Sequence, residues 1–188
     1  MSSLESIELA FSNCSRENFL PSGVKERAGV DAPLYIGYGQ TNSQPTTVRM
    51  MLQWLDVEPK QNVLDVGAGS GWTTALLANL VGPDGKVTAT EIVAELVEFG
   101  RDNCKRLDLN NVEFHKAGKK YGYLKNAPYD RILVSAAASE IPEELLEQLA
   151  PNGIMVIPIA NSIDVITKYK DSKISRESHY GFAFVPLI

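Results

Sequence analysis

The chain has 188 residues, 44% of them hydrophobic and 22% charged, with a formal net charge of −5. That length suits one domain with a real core, and the balance excludes a disordered chain. The acidic total argues against broad non-specific binding to nucleic acid, which needs clustered Lys and Arg, and no apolar run approaches the ~20 residues of a membrane helix.

In chain order, residues 1 to about 45 carry a helical candidate near Leu4–Phe11 and then frequent breakers: Pro21, Gly23, Gly29, Pro33, Gly37, Gly39 and Pro45. Such punctuation predicts an irregular segment wrapped on a core. From Thr46 the texture changes. Val48, Met51, Leu52 and Leu55 fall at helical spacing, and Pro59 follows the end of that helix. NVLDVG (62–67) reads as a buried parallel strand, WTTALLANLV (72–81) as a helix, and KVTATE (86–91) as the next strand. A helix over 94–109, strands over 112–116 and 130–138, a helix over 142–150 and a strand over 153–160 follow. The tail offers DVITKYK (164–170) and GFAFVPLI (181–188) as two further strands. Strands alternating with helices predict a single α/β domain: a doubly wound, mostly parallel, seven-stranded sheet with helices on both faces. The start of the chain lacks the basic and apolar regions of a signal peptide. Cys14 and Cys104 are too few for a disulfide framework and make no metal-ligand cluster, so they read as thiols of a reducing cytosol. The expectation is a cytoplasmic protein with no metal and no nucleic-acid or membrane partner.

The most informative local feature is Asp65-Val66-Gly67-Ala68-Gly69-Ser70-Gly71. Gly67 permits a tight turn, Gly69 lets backbone approach a ligand, and the helix after Gly71 starts with free N–H groups. The spacing is G-x-G-x-G, one residue shorter than the dinucleotide fingerprint G-x-G-x-x-G, with Trp72 in the expected place of the last glycine. Asp65, two residues before the first glycine, can serve a cationic amino-acid moiety directly or through water. Glu91 ends the next strand, where a carboxylate can accept both hydroxyls of a ribose. The loop resembles the first motif of class I methyltransferases, which use S-adenosylmethionine. A plain strand–helix turn and a solvated strand-end acid are the structural alternatives.

At residues 36–48 the chain reads Ile-Gly-Tyr-Gly-Gln-Thr-Asn-Ser-Gln-Pro-Thr-Thr-Val. This resembles the G-Q-T-I-S-Q-P segment of protein-L-isoaspartate O-methyltransferases. The likeness continues through VLDVGAGSGWTTALLA, Glu91, APYDRILVSAAA (127–138), IPEELLEQLAPNGIMVIPI (141–159) and the final FVPLI, and Arg16-Glu17-Asn18-Phe19-Leu20-Pro21 looks like the family's R-x-x-F-V-P element. The resemblance implies a Rossmann-like methyltransferase domain. Residues 1–45 would be the substrate-side segment and 46–188 the cofactor-binding core. It also implies the chemistry. Such enzymes methylate the free α-carboxylate of an L-isoaspartyl residue in a damaged protein or peptide. The ester closes to a succinimide that hydrolyses partly to normal aspartate. By resemblance, Ser43 and Thr41 face the substrate carboxylate, while Gln40, Gln44 and Pro45 shape the loop. Asp65, Gly67, Ala68, Gly69, Ser70, Gly71, Glu91 and Gly118 bind the cofactor, which leaves as S-adenosylhomocysteine. A monomer is expected. On the tripeptide alone, Thr41-Asn42-Ser43 is also a polar turn able to cap the next helix.

Three departures stand out. The family's G-D-G triplet falls on Ala117-Gly118-Lys119, so the acid that reads the adenine amino group is replaced by Gly118. Asn42 stands where an apolar residue is usual, and the segment before Arg16 is short. These keep two alternatives open: the same fold acting on another carboxylate or a small molecule, or a non-catalytic homologue that binds S-adenosylmethionine. His115 and His179 read as local hydrogen-bonding residues, Lys116, Lys119, Lys120 and Lys125 as a solvated basic loop, and Trp54 and Trp72 as packing residues, with Trp72 near enough to touch cofactor.

Overall fold

The computed structural model describes residues 4–188. Helix α1 (Leu4–Asn13) is followed by 3-10 turns at Arg16–Phe19 and Ser22–Arg27, then strands β1 (Leu34–Gly37) and β2 (Gln40–Asn42). The breaker-rich segment therefore contains a β-hairpin not anticipated from sequence. Its two-residue turn, Tyr38-Gly39, has φ of 56° and 75°, the doubly left-handed turn whose twist suits a hairpin.

From Pro45 the elements alternate: α2 (Pro45–Leu55), β3 (Asn62–Val66), α3 (Trp72–Val81), β4 (Lys86–Glu91), α4 (Ala94–Arg106), β5 (Val112–Lys116), β6 (Tyr129–Val134), α5 (Glu143–Gln148), β7 (Leu149–Ile159), β8 (Ser162–Lys168) and β9 (Ile174–Tyr180). Seven strands form one sheet in the order β5-β4-β3-β6-β7-β8-β9. Strands β5 to β7 are parallel, and β8 and β9 close the far edge antiparallel. Period-two alternation sends β3 to both faces. Val63 packs into the cluster with Leu52, Leu55, Leu76 and Val87, whereas Leu64 and Val66 join Ile132, Leu145 and Met155. Almost every residue of α3 is buried, as its continuous apolar composition requires. Among the described residues no helix is long and apolar enough to cross a membrane.

One strand assignment needs correction. The seventh strand is ISRESHY (174–180), and residues 181–188 form no strand beyond a single bridge, Ala137 to Pro186. β9 is a largely exposed edge strand, so neither of its faces imposes the apolar alternation that marks a buried strand. GFAFVPLI is apolar because it crosses over the carboxyl ends of the strands. Ala137 N donates to Val185 O and Leu187 N to Ala137 O, both at 2.8 Å.

Candidate active site

The parallel order reverses between β3 and β6, with β4 on one side and β6 on the other, so a crevice opens at their carboxyl ends. There β3 turns through residues 67–71 into α3. Gly67, Gly69 and Gly71 take φ of 78°, 53° and 86°, a left-handed path that only glycine follows without strain. Gly67 N and Ala68 N donate to Thr90 O at 2.9 and 3.1 Å, Gly69 N to Glu91 Oε2 at 2.9 Å, and Gly71 N to Ala68 O at 2.8 Å. With those four N–H groups taken, the loop is no phosphate cradle. It offers instead a snug wall for a ligand without phosphate.

Glu91 is 5% exposed and lines the crevice. Its Oε1 accepts from Val93 N at 2.9 Å and its Oε2 from Gly69 N. Each carboxylate oxygen keeps capacity for a second bond, which is what two vicinal ribose hydroxyls require.

Asp65 lies beneath the loop and adds nothing to the crevice wall. Its fully buried Oδ2 accepts from Thr73 Oγ1 at 2.8 Å and Thr74 Oγ1 at 2.6 Å, which pins the first turn of α3. Burial pushes its carboxyl up to about 6; the two hydroxyls oppose the rise and the charge of Glu91 adds to it. Gly71 is likewise outside the wall. A Cβ there would sit 2.9 Å from Gly100 O, so this glycine lets α3 and α4 meet.

The hairpin supplies the opposite wall. Gln40, Thr41, Asn42 and Ser43 share one cleft with Gly67, Ala68, Gly69, Ser70, Glu91 and Gly118, roughly 880 Å³ including space open to solvent, within the range of small-molecule sites. Gln44 and Pro45 do not line it. Gln44 Nε2 donates to Asp31 Oδ2 at 3.0 Å, and Pro45 opens α2. Capping of α2 comes from Asp31, not from the Thr41–Ser43 tripeptide. Asp31 accepts from Thr46 N at 2.9 Å and Thr46 Oγ1 at 2.8 Å, and these bonds with Gln44's hold its carboxyl below the usual range.

Sequence reasoning missed Asp31, the wall residues Thr90 and Ser135, and the closing segment Val185–Ile188. It also missed Arg16 as a loop anchor. Tyr121 and Gly122 line the end of the cleft beside Gly118 and the exposed Lys120. Trp72 touches the cleft, but its Nε1 donates to Cys14 O at 2.9 Å and its ring meets Phe11 edge-on. His115 stacks on Tyr123 and His179 on Trp54, and neither histidine lines the cleft.

A crevice at the switch point, a glycine loop with its amides occupied and a buried carboxylate with spare acceptor capacity fit S-adenosylmethionine. Solved structures agree. A Plasmodium falciparum protein-L-isoaspartate O-methyltransferase in complex with S-adenosyl-L-homocysteine superposes with a TM-score of 0.85 at 28% identity, over 98% of this chain and 90% of that one. Another solved protein-L-isoaspartate O-methyltransferase gives a TM-score of 0.88 at 27% identity over 97% of this chain, which spans 61% of that longer protein. Fold and site thus define a Rossmann-like, S-adenosylmethionine-dependent methyltransferase. The family model for protein-L-isoaspartate(D-aspartate) O-methyltransferase matches residues 2–188. A Methanopyrus kandleri protein-L-isoaspartate O-methyltransferase is 46% identical over 92% of this chain and 79% of its own. The chain belongs to the protein-L-isoaspartate O-methyltransferase family.

Proposed function

We propose that this protein transfers a methyl group from S-adenosylmethionine to the free α-carboxylate of L-isoaspartyl residues in damaged proteins or peptides. In this reading Ser43 and Thr41 face that carboxylate, and Gly67–Ser70, Glu91 and Gly118 hold the cofactor. The observation that carries it is that Thr41 and Ser43 share one cleft with the glycine loop and Glu91, in a chain of this family.

When bound, S-adenosylmethionine supplies a methyl group on a positively charged sulfur. An α-carboxylate is ionised at neutral pH, its pKa being about 3.5, so the attack needs no general base, and neither histidine lines the cleft. What the chain must do is orient the carboxylate and shed its water. The Ser43 and Thr41 hydroxyls are neutral donors suited to hold one carboxylate oxygen while the other attacks. Val185–Ile188 and the hairpin line the cleft from two sides. The product ester then closes to a succinimide with loss of methanol, and hydrolysis returns part of it to aspartate.

A cytoplasmic location and a monomeric state belong to the same reading. The two thiols, both free and buried, suit a reducing compartment, and sedimentation tests the second point. Ser43→Ala tests the site. Losing one hydrogen bond to a charged group costs about 1.5–3 kcal/mol, so kcat/KM for an isoaspartyl peptide should fall roughly tenfold to a hundredfold with cofactor affinity unchanged. A fully active Ser43→Ala variant would remove Ser43 from this role.

A further inference from the structure

Arg16 stands at the start of the first 3-10 turn and is 5% exposed. Its guanidinium is spent on the hairpin and the segment before it. Nη1 donates to Val30 O at 2.9 Å and Ala28 O at 3.4 Å. Nη2 donates to Ala32 O at 2.8 Å, Asn42 O at 3.0 Å and Ser43 O at 2.8 Å. Nε donates to Asn42 Oδ1 at 2.7 Å. The other end of the Asn42 amide continues the chain of contacts: Nδ2 donates to Ser70 Oγ at 3.1 Å, inside the glycine loop. Ser70 is held in turn, its carbonyl accepting from Asn103 Nδ2 of α4 at 2.8 Å. Asn42 and Ser70 are themselves buried.

We propose that Asn42 is a positioning residue that ties the loop bearing Ser43 to the cofactor loop, with Arg16 as its anchor. Apolar packing, Ile36 against Gly69 and Leu34 and Ile36 beside Leu96 of α4, seats the hairpin but carries no directional bond to the glycine loop, whereas the Asn42–Ser70 hydrogen bond does. β1 and β2 form a separate two-stranded sheet that does not join the main one. A planar amide suits the task because it accepts from a cation at one end and donates to a hydroxyl at the other. An apolar side chain at position 42 could fill the space but could not make the bridge. The consequence lies in the chemical step. In-line transfer demands a fixed distance between the carboxylate held by one loop and the methyl group held by the other, so loosening the bridge should lower kcat more than it changes binding.

This inference rests on the proposed methyl transfer, so the experiment carries one readout that does not depend on it. Asn42→Leu, Ser70→Ala and the double variant are compared with the wild-type protein for kcat on an isoaspartyl peptide, for cofactor Kd by calorimetry, and for amide hydrogen exchange of residues 40–46. The expected result is a kcat loss of tenfold or more in each single variant, with cofactor Kd changed less than threefold in Asn42→Leu, whose side chain lies outside the cofactor loop. The double variant should be no slower than Asn42→Leu, because Ser70→Ala removes only the Asn42–Ser70 bond, which Asn42→Leu already loses together with the bond from Arg16 Nε. Exchange of residues 40–46 should rise about tenfold in all three variants, with the β3 and β6 amides unchanged. Losses that multiply in the double variant would overturn the proposal, as would unchanged exchange at 40–46 or an effect confined to cofactor Kd. If the wild-type protein itself fails to methylate the peptide, the function reading has failed instead. The exchange data alone then decide whether Asn42 ties the loops.

Discussion

In Gly71→Ala an added Cβ would lie 2.9 Å from Gly100 O, 3.0 Å from Gly100 Cα and 3.1 Å from Phe114 Cζ. Two of these three neighbours are backbone atoms of α4, so relief needs a shift of one helix against another. The backbone adds its own cost. A φ of 86° is left-handed, which strains any Cβ-bearing residue by about 1–2 kcal/mol. Overpacking adds about 1–3 kcal/mol. The sum, about 2–5 kcal/mol, corresponds to a fall in Tm of roughly 4–20 °C for a domain this size. Gly118→Ala is the control. A Cβ there meets nothing within 4 Å and the backbone is unstrained, so stability should stay within about 0.5 kcal/mol. Denaturant unfolding and calorimetry on cofactor-free protein measure both. If Gly71→Ala unfolds at the wild-type midpoint, the packing argument is wrong and Gly71 returns to the ligand wall.

Other residues make separate predictions. Glu91→Gln places an amide donor against a backbone N–H, either Gly69's or Val93's, and removes charge from two hydrogen bonds. Cofactor binding should weaken tenfold or more, from about 1.5–3 kcal/mol per charged bond, and unchanged affinity by calorimetry contradicts the ribose role. Gly118→Asp restores the acid that the family resemblance places there, at a position open to a side chain. Cofactor affinity should rise about fivefold, the worth of one hydrogen bond near 1 kcal/mol, and no gain would mean the adenine end lies elsewhere. Asp65 makes stability depend on pH. Its carboxyl sits at about 6 against an ordinary 3.8, chiefly through burial. Between those values the native state holds more protons than the unfolded one, so stabilisation present below pH ~4 is lost as the pH rises to ~6. Relative to Asp65→Asn, the cofactor-free wild-type protein should lose about 3 kcal/mol over that window, and parallel curves would refute it.

The parts of the fold legible in the sequence are those whose partners are near in the chain or whose burial is uniform. Val63, Leu64 and Val66 place apolar side chains on both faces because β3 sits mid-sheet, and the glycines after them announce the turn into α3. β9 left no such mark, because an edge strand of Ser, Arg, Glu and His is half solvated. Among the site residues, Thr41, Ser43 and Glu91 reach one cleft, as their motifs imply. Asp65 and Gly71 belong to the same motif yet serve the helix behind it, a distinction set by which face of β3 and α3 each occupies. Arg16 and Asp31 were invisible as anchors of the substrate loop. Their partners lie 12 to 27 and 13 to 15 residues away, beyond any local pattern. Asn42, a departure from the family pattern, becomes intelligible only once Arg16 and Ser70 are seen on either side of it.

The central claim is tested most directly by methyl transfer from labelled S-adenosylmethionine to two peptides that differ only in an L-isoaspartyl or L-aspartyl linkage. The account predicts base-labile labelling confined to the isoaspartyl peptide. Equal labelling of both peptides, or none in a folded sample that binds the cofactor, would contradict it.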